Sequence, residues 1–320
     1  MAAVVVSTFN RSHLLPRLVA ALEAQLGAPS FEVVIVDDAS TDDTPTVLAD
    51  LAARTTLTLT TLRQPVNSGP GAARDVGWRA TSASRVAFTD DDCVPQPQWL
   101  AAICAALDGH DIVQGRTRPN REQVGNLGPF SRTLEVPEMN GFFQTCNVGY
   151  RRDWLERVDG FDPRFGHSCE DADLAWRMIE AGASAVFASD AEIWHDIRPS
   201  NALLQVKDAP RWQDVPLVIS AHPELREKLH ARYFWKRSHP FAIAAASGLI
   251  AAVTPGRPLR RIAGALLTVP YVRHRLYDGA LPNTGRRRRR LQLVPAALAV
   301  DLAEVAVLAV ASVKRRTPVL

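Results

Sequence analysis

A chain of 320 residues, 47% of them apolar, has room for one large α/β domain, alone or with a smaller appendage, and is too apolar for general disorder. Its four cysteines (Cys93, Cys104, Cys146 and Cys169) lack both C-x-x-C spacing and the density of a disulfide scaffold, so a reduced, cytosolic setting fits them best. The formal net charge of +3 hides a net of −10 over residues 1–200 and +13 over residues 201–320: an acidic front half suited to metal, and a basic back half suited to an anionic partner.

Met1 leads almost directly into the strand-like run Ala2–Ser7, without the basic start and cleavage site of a signal peptide. Short runs rich in β-branched residues follow at Val4–Val6, Val33–Val36, Leu57–Leu62 and Val86–Phe88. Amphipathic stretches lie between and after them, at His13–Leu26, Thr44–Ala53, Gly71–Ala80 and Gln98–Leu107, with Pro16, Pro45 and Pro97 near helix starts. Strand–helix alternation at this spacing predicts an α/β fold with a mainly parallel sheet flanked by helices. Ligands of such sheets bind beyond the carboxyl ends of the strands. Ser7–Asn10, Asp37–Asp42 and Thr89–Asp92 each follow a strand directly, so they are expected to converge on one crevice.

After about residue 200 the pattern changes, which divides the chain into residues 1–200 and a basic, apolar, helical region over 201–320. Apolar runs at Phe241–Val253 and Ile262–Val272 are short of the roughly 20 residues that span a bilayer. Leu293–Val313 is long enough but carries Asp301 and Glu304 near its middle, each costing about 2.5–3.5 kcal/mol there on an insertion scale. Basic residues bracket every run, including Arg257, Arg260, Arg261, Arg286–Arg290 and Lys314–Arg316. Nucleic acid and an anionic membrane both suit such charge, and the apolar runs favour the membrane. Segments lying in the interface, or a shallow re-entrant hairpin, reconcile these features. The plainer alternative is a helical subdomain packed on the catalytic core.

Asp90-Asp91-Asp92 at the end of Val86–Phe88 crowds three carboxylates that a hard divalent cation, Mg²⁺ or Mn²⁺, would offset. A solvated acidic turn is the plainer reading. Asp37 and Asp38 are placed to accept from a base or ribose, with Asp42 or Thr44 capping the next helix. In Asn67–Asp75 small residues allow close backbone approach at a helix start, and Arg74 sits one turn in, toward a phosphate or simply on the surface. Leu174, Met178 and Ala181 mark a helix whose N-terminus carries Glu170 and Asp171. There the dipole favours the ionised carboxylate and would keep a base ready at neutral pH, unless both acids only cap the helix. His195 gains weight only if it meets the Asp90–Asp92 metal.

In order and spacing these motifs resemble the family 2 glycosyltransferases of GT-A fold. The resemblance runs from Val4–Arg11 through Val36–Asp42, Gly71–Asp75, Phe88–Asp92, Asn147–Tyr150, Gly160–Asp162 and Glu170–Leu174 to Trp194-His195, about residues 3–196 without a break in order. It implies that Thr8 and Asp38 contact the nucleobase, that Arg11 and Arg74 face the nucleotide and its phosphates, and that Asp90 binds the ribose within a donor site that includes Asp91. It further implies that Asp92 binds the metal with help from His195, that Asp171 is the catalytic base, and that the anomeric centre inverts in one displacement. Processive synthases of the family carry Gln-x-x-Arg-Trp. Here Asp208 stands where that Gln would precede Arg211-Trp212, which favours transfer of a single sugar.

The reading that follows is a metal-dependent transferase using a nucleotide-diphosphate sugar and a glycan or lipid-linked acceptor, peripheral at the cytoplasmic face of an anionic membrane, with no nucleic acid partner. Acceptor contacts are expected in Arg116–Met139 and beyond residue 196. A sugar-phosphate nucleotidyltransferase is the competing enzyme, but it would carry a Gly-rich phosphate loop where Ser7–Arg11 stands. A non-catalytic nucleotide-sugar-binding protein is the third reading.

Overall fold

The computed structural model describes residues 1–166, 168–256, 258–278 and 287–320, apart from the side chain of Arg287. Arg257 and Arg286, named in the basic runs above, lie outside the described residues. The chain forms two compact units, one of Met1–Val124 with Thr133–Asp196, the other of Gly125–Arg132 with Ile197–Leu320.

The first unit opens with β1 (Ala2–Thr8), α1 (Leu15–Glu23), β2 (Phe31–Asp37), α2 (Thr44–Arg54), β3 (Thr58–Arg63), α3 (Pro70–Arg79) and β4 (Arg85–Asp90). It continues with β5 (Cys93–Pro95), α4 (Trp99–Ala106), β6 (Ile112–Pro119), β7 (Asn147–Arg151), α5 (Arg152–Arg157), α6 (Glu170–Glu180) and β8 (Ala185–His195). Among the described residues the strands make one eight-stranded sheet of order β3-β2-β1-β4-β7-β6-β8-β5. The half read from strand–helix alternation, β3-β2-β1-β4, is parallel throughout. In the other half β7 runs antiparallel to β4 and β6, β6 pairs parallel with β8, and β5 pairs antiparallel with β8.

Helices cover both faces of the sheet, so β1 is buried on each side and its alternation divides two cores. Val4 and Val6 join Leu15, Leu18, Trp99 and Ile103 on one face. Val5 joins Trp78, Phe88, Tyr150 and Leu174 on the other. Both faces being dry, β1 reads as a continuous apolar run rather than an alternating one.

A buried amide ties the mixed half together. Asn147 Oδ1 accepts from Trp99 Nε1 at 2.8 Å, and its Nδ2 donates to the carbonyls of Arg116 (2.8 Å) and Ala191 (2.9 Å). The approach requires glycine opposite, because a Cβ on Gly115 would lie 2.3 Å from Asn147 Oδ1. Each buried polar group stranded by truncation costs about 1–3 kcal/mol. Asn147→Ala strands three, and is expected to lower unfolding stability by about 3 kcal/mol or more in urea titration. A loss below about 1 kcal/mol would show that the hub is dispensable.

The second unit contains α7 (Ala202–Lys207), α8 (Val215–Ala221), α9 (His239–Val253), α10 (Pro258–Arg273) and α11 (Arg287–Arg315). Over Arg288–Arg315, α11 is long and apolar enough to cross a membrane. Its two acids, however, are buried and paired within this unit. Asp301 accepts from Ser238 Oγ at 3.0 Å, from Tyr271 at 2.7 Å and from Arg275. Glu304 meets Lys236 at 2.7 Å, His239 Nε2 at 3.2 Å and Trp212 Nε1 at 3.3 Å. Burial pushes the Glu304 carboxyl up, but His239 and Lys236 outweigh it and hold it down at about 2. The two charges that looked misplaced in an apolar run are thus compensated by neighbouring segments.

Candidate active site

The loops that follow β1 and β2 are laced together. Asn10 Oδ1 accepts from the amides of Thr41 (2.7 Å) and Asp42 (3.3 Å), while the Asn10 amide donates to Ser40 Oγ at 2.8 Å. Asp42 Oδ1 accepts from the Thr44 amide at 3.0 Å where α2 begins, although the N-cap position itself is Asp43, which makes no side-chain cap. Asn10 (φ 53°) and Ala39 (φ 62°) hold left-handed backbone in these turns, uncommon for Asn and more so for Ala. Asp38 is buried, and its two oxygens accept from the Ser68 and Gly69 amides at 2.8 and 2.9 Å. It therefore draws the glycine loop before α3 onto the end of β2, and the expected convergence of strand-end segments takes place.

At the end of β4 the three acids part company. Asp91 turns inward, accepting from Thr8 Oγ1 at 2.8 Å and from Arg11 at 2.5 Å. Burial, with Asp92 adding to it and Arg11 opposing it, pushes the Asp91 carboxyl up to about 6. Asp92 takes a longer contact from the same guanidinium, at 3.2 Å. Its other oxygen lies 3.6 Å from His195 Nε2, too far for a hydrogen bond. Two atoms bound to one small divalent cation at about 2.1 Å stand at most about 4.2 Å apart, so this spacing fits. The His195 Nδ1 atom is 2.9 Å from the Asp196 carbonyl, which can only accept. Nδ1 is therefore a donor, which leaves Nε2 as the ring atom that faces Asp92.

What brings His195 there is β5, three residues long, which pairs Cys93 directly opposite His195. Cys93 joins Asp92 and His195 as a third side chain with a ligand atom within 4.8 Å of the others. Burial and a hydrogen bond with Cys146 push the Cys93 thiol well above its usual range. Cys93 went unremarked in the sequence, although it directly follows the acid triplet.

Arg74 is buried, with its guanidinium ends at 2.7 Å from Asp90 and 2.8 Å from Glu170. Both ends are in ion pairs, so it is not a surface arginine. Burial pushes the Asp90 carboxyl up, but Arg74 prevails and holds it below the usual carboxylate range. The same guanidinium fastens the start of α6 to the end of β4, setting Asp171 beside the acidic strand end. Cys169, before that helix, has φ 68° and gives no side-chain cap. Asp171 Oδ1 accepts from the Ala172 amide at 2.8 Å. The helix dipole, expected to keep Asp171 ionised at neutral pH, is outweighed: burial and then the Glu170 charge push its carboxyl up to about 8. The buried Tyr150 hydroxyl, also near the Asp171 charge, has no hydrogen-bond partner among the described residues.

Residues 3–159 match the family described as glycosyl transferase family 2. This chain is a family 2 glycosyltransferase. The glycosyltransferase AglE of Haloferax volcanii is 28% identical over 63% of this chain and 69% of its own length. Validoxylamine A glucosyltransferase of Streptomyces hygroscopicus subsp. limoneus is 26% identical over 73% and 58%, and the pre-mycofactocin glycosyltransferase of Mycobacterium tuberculosis 29% over 61% and 42%. This glycosyltransferase thus spans about half the length of the latter two. In fold it is similar to the mannosyltransferase PcManGT of Pyrobaculum calidifontis in complex with GDP-Man and Mn²⁺, with TM-score 0.65 and 20% identity over 95% of this chain and 86% of that one. It is also similar to S. aureus TarS 1–349 in complex with UDP-GlcNAc, with TM-score 0.57 and 20% identity over 99% and 92%. The glycosyltransferase has the GT-A fold, and the family match sets the nucleotidyltransferase reading aside.

Proposed function

We propose that this glycosyltransferase moves one sugar from a nucleotide-diphosphate donor to a hydroxyl of a glycan or lipid-linked glycan, with inversion, at the cytoplasmic face of an anionic membrane. The observation that carries the chemistry is the buried Arg74 bridge between Asp90 and Glu170, which ties the start of the Asp171 helix to the strand end that leads into Asp92. Thr8 and Asp38 are assigned to the nucleobase, Asp90 and Asp91 to the rest of the donor site, and Arg11 to the phosphates. Arg74 is assigned with Arg11 to the nucleotide and its phosphates, and it also holds Asp90 and Glu170. Asp92 and His195 are assigned to a divalent cation, Mg²⁺ or Mn²⁺, which would offset the charge that builds on the leaving diphosphate. The GDP-Man and Mn²⁺ in the PcManGT complex support that donor class and metal. Asp171 accepts the acceptor's proton as its oxygen attacks the opposite face of the sugar. The net +13 of residues 201–320 supports the membrane site.

Purified full-length protein offered a panel of nucleotide sugars with Mn²⁺ should hydrolyse one donor class slowly without acceptor, and lose that activity in EDTA. If every donor fails to bind, the donor assignment is wrong.

The raised Asp171 carboxyl sets a pH dependence. A base works only when deprotonated, so the active fraction is lost as pH falls through its pKa of about 8. Transfer at saturating donor and metal should therefore rise about tenfold per pH unit below that point and level off above it. A rate flat between about pH 6 and 8 would count against Asp171 as the base.

A further inference from the structure

We infer that the hairpin α9–α10 is the surface that docks this protein on an anionic lipid bilayer, lying flat at the headgroup level with its outward apolar stripe among the acyl chains. This deepens the membrane part of the proposed function and rests on it, not on the transfer chemistry. Ile250 (66% exposed), Val253 (76%), Leu259 (77%), Ile262 (59%) and Leu266 (63%) stand open to solvent. Leu259, Ile262, Leu266 and Val269 follow steps of three and four, so they form one stripe along α10. An exposed patch of this kind needs a partner.

The hairpin is built to turn these side chains outward. At the crossing, a Cβ on Gly248 would lie 2.4 Å from the Gly264 carbonyl oxygen, and one on Gly264 would lie 2.5 Å from that of Gly248. The helices touch through glycine, leaving the large apolar residues no place between them. The base of the hairpin is anchored instead, with Ala242, Ala245 and Tyr271 packing beside Val294 and Leu298 of α11. Arg260 closes the turn by donating to the carbonyls of Thr254 and Pro255 at 2.6 and 2.7 Å.

Charge selects the occupant. Between Glu227 and Asp278 the sequence has nine Lys/Arg and no acidic residue. Two copies of so cationic a face would repel one another, whereas anionic lipid attracts it. Arg261 and Arg273 are exposed near the two ends of α10, where their stems can reach phosphate while the stripe stays in hydrocarbon. With 15 and 16 residues the helices are about 22 and 24 Å long, short of the roughly 30 Å hydrocarbon core, so they lie on the bilayer and do not span it. The longer α11 is the scaffold and not the anchor: inserting it would break the ion pairs of Asp301 and Glu304.

The test is flotation of the full chain with phosphatidylglycerol-containing vesicles and with phosphatidylcholine vesicles. The parent should float with the anionic vesicles, less at high salt. I262E/L266E, at exposed positions, should keep the parent melting temperature and donor hydrolysis but bind at least tenfold more weakly. R261A/R273A should lose the preference for anionic vesicles. Undiminished binding by I262E/L266E overturns the proposal, as does a parent that ignores anionic vesicles. A parent dimer that I262E/L266E converts to monomer also overturns it, in favour of a second copy as occupant. Donor hydrolysis by the same variant reads out the transfer chemistry separately.

Discussion

Asp171→Asn is expected to cut sugar transfer by at least about a hundredfold while donor affinity stays within a few-fold of the parent. The asparagine keeps the shape at the start of α6 and can still accept from the Ala172 amide, but it takes no proton at working pH. A general base acts on the acceptor, so its loss spares the donor, and general-base catalysis is typically worth about 10²–10⁴-fold. The pH limb below about 8 should vanish in the same variant, because the group that titrates is gone. Glu170→Gln tests a different thing. Glu170 is bound to Arg74, and its neutral amide weakens that ion pair without removing the base. A smaller fall in transfer is expected there, together with a pKa of Asp171 lowered by loss of the neighbouring charge. Near-parent transfer by Asp171→Asn would reduce Asp171 to a helix-start residue and move the search to Asp173 and Glu170. A parent that binds donor but transfers to no acceptor would favour a non-catalytic binding protein.

The second large effect concerns Asp92. Titration calorimetry with the correct donor should show affinity at least about tenfold weaker in EDTA than in Mn²⁺ or Mg²⁺, about 1.4 kcal/mol. Asp92→Asn should abolish most of that difference. His195→Ala should abolish less, because the carboxylate supplies charge as well as a ligand atom whereas a neutral imidazole supplies only the ligand atom. Some metal-free affinity should persist, since Arg11 lies against Asp91 and Asp92 and offsets part of their charge. Equal donor affinity with and without metal would remove the cation from the proposed function.

Much of the first unit is legible in the sequence because its signals are local. β-branched runs, prolines at helix starts and short polar segments after strands set β1 to β4 and their helices within a few residues. The order of short motifs carries the family, as the match over residues 3–159 shows. The mixed half is harder to read: β5 is too short for any period to register, and β7 is preceded by a long irregular segment. His195 is the telling case. The resemblance names it as a helper to Asp92, but only the pairing of β5 with β8 sets it opposite Cys93 and beside Asp92.

Residue types and their positions along strands and helices were thus determined by the sequence alone, because propensity, period and capping act over a few residues. Partners and protonation were decided by tertiary structure. Arg74 finds Asp90 and Glu170 at separations of 16 and 96 residues, which makes it a tie between two elements that no local signal announces. Asp171 keeps its proton above neutral pH because burial beside Glu170 costs the ionised form more than a helix N-terminus returns. Asp301 and Glu304 sit in the longest apolar run, yet Lys236, His239 and Arg275 meet them from other helices and turns. The shorter α9–α10 hairpin carries Ile250, Val253, Leu259, Ile262 and Leu266 in the open. Composition cannot distinguish a buried apolar run from an exposed one, since burial depends on what the rest of the chain brings against it.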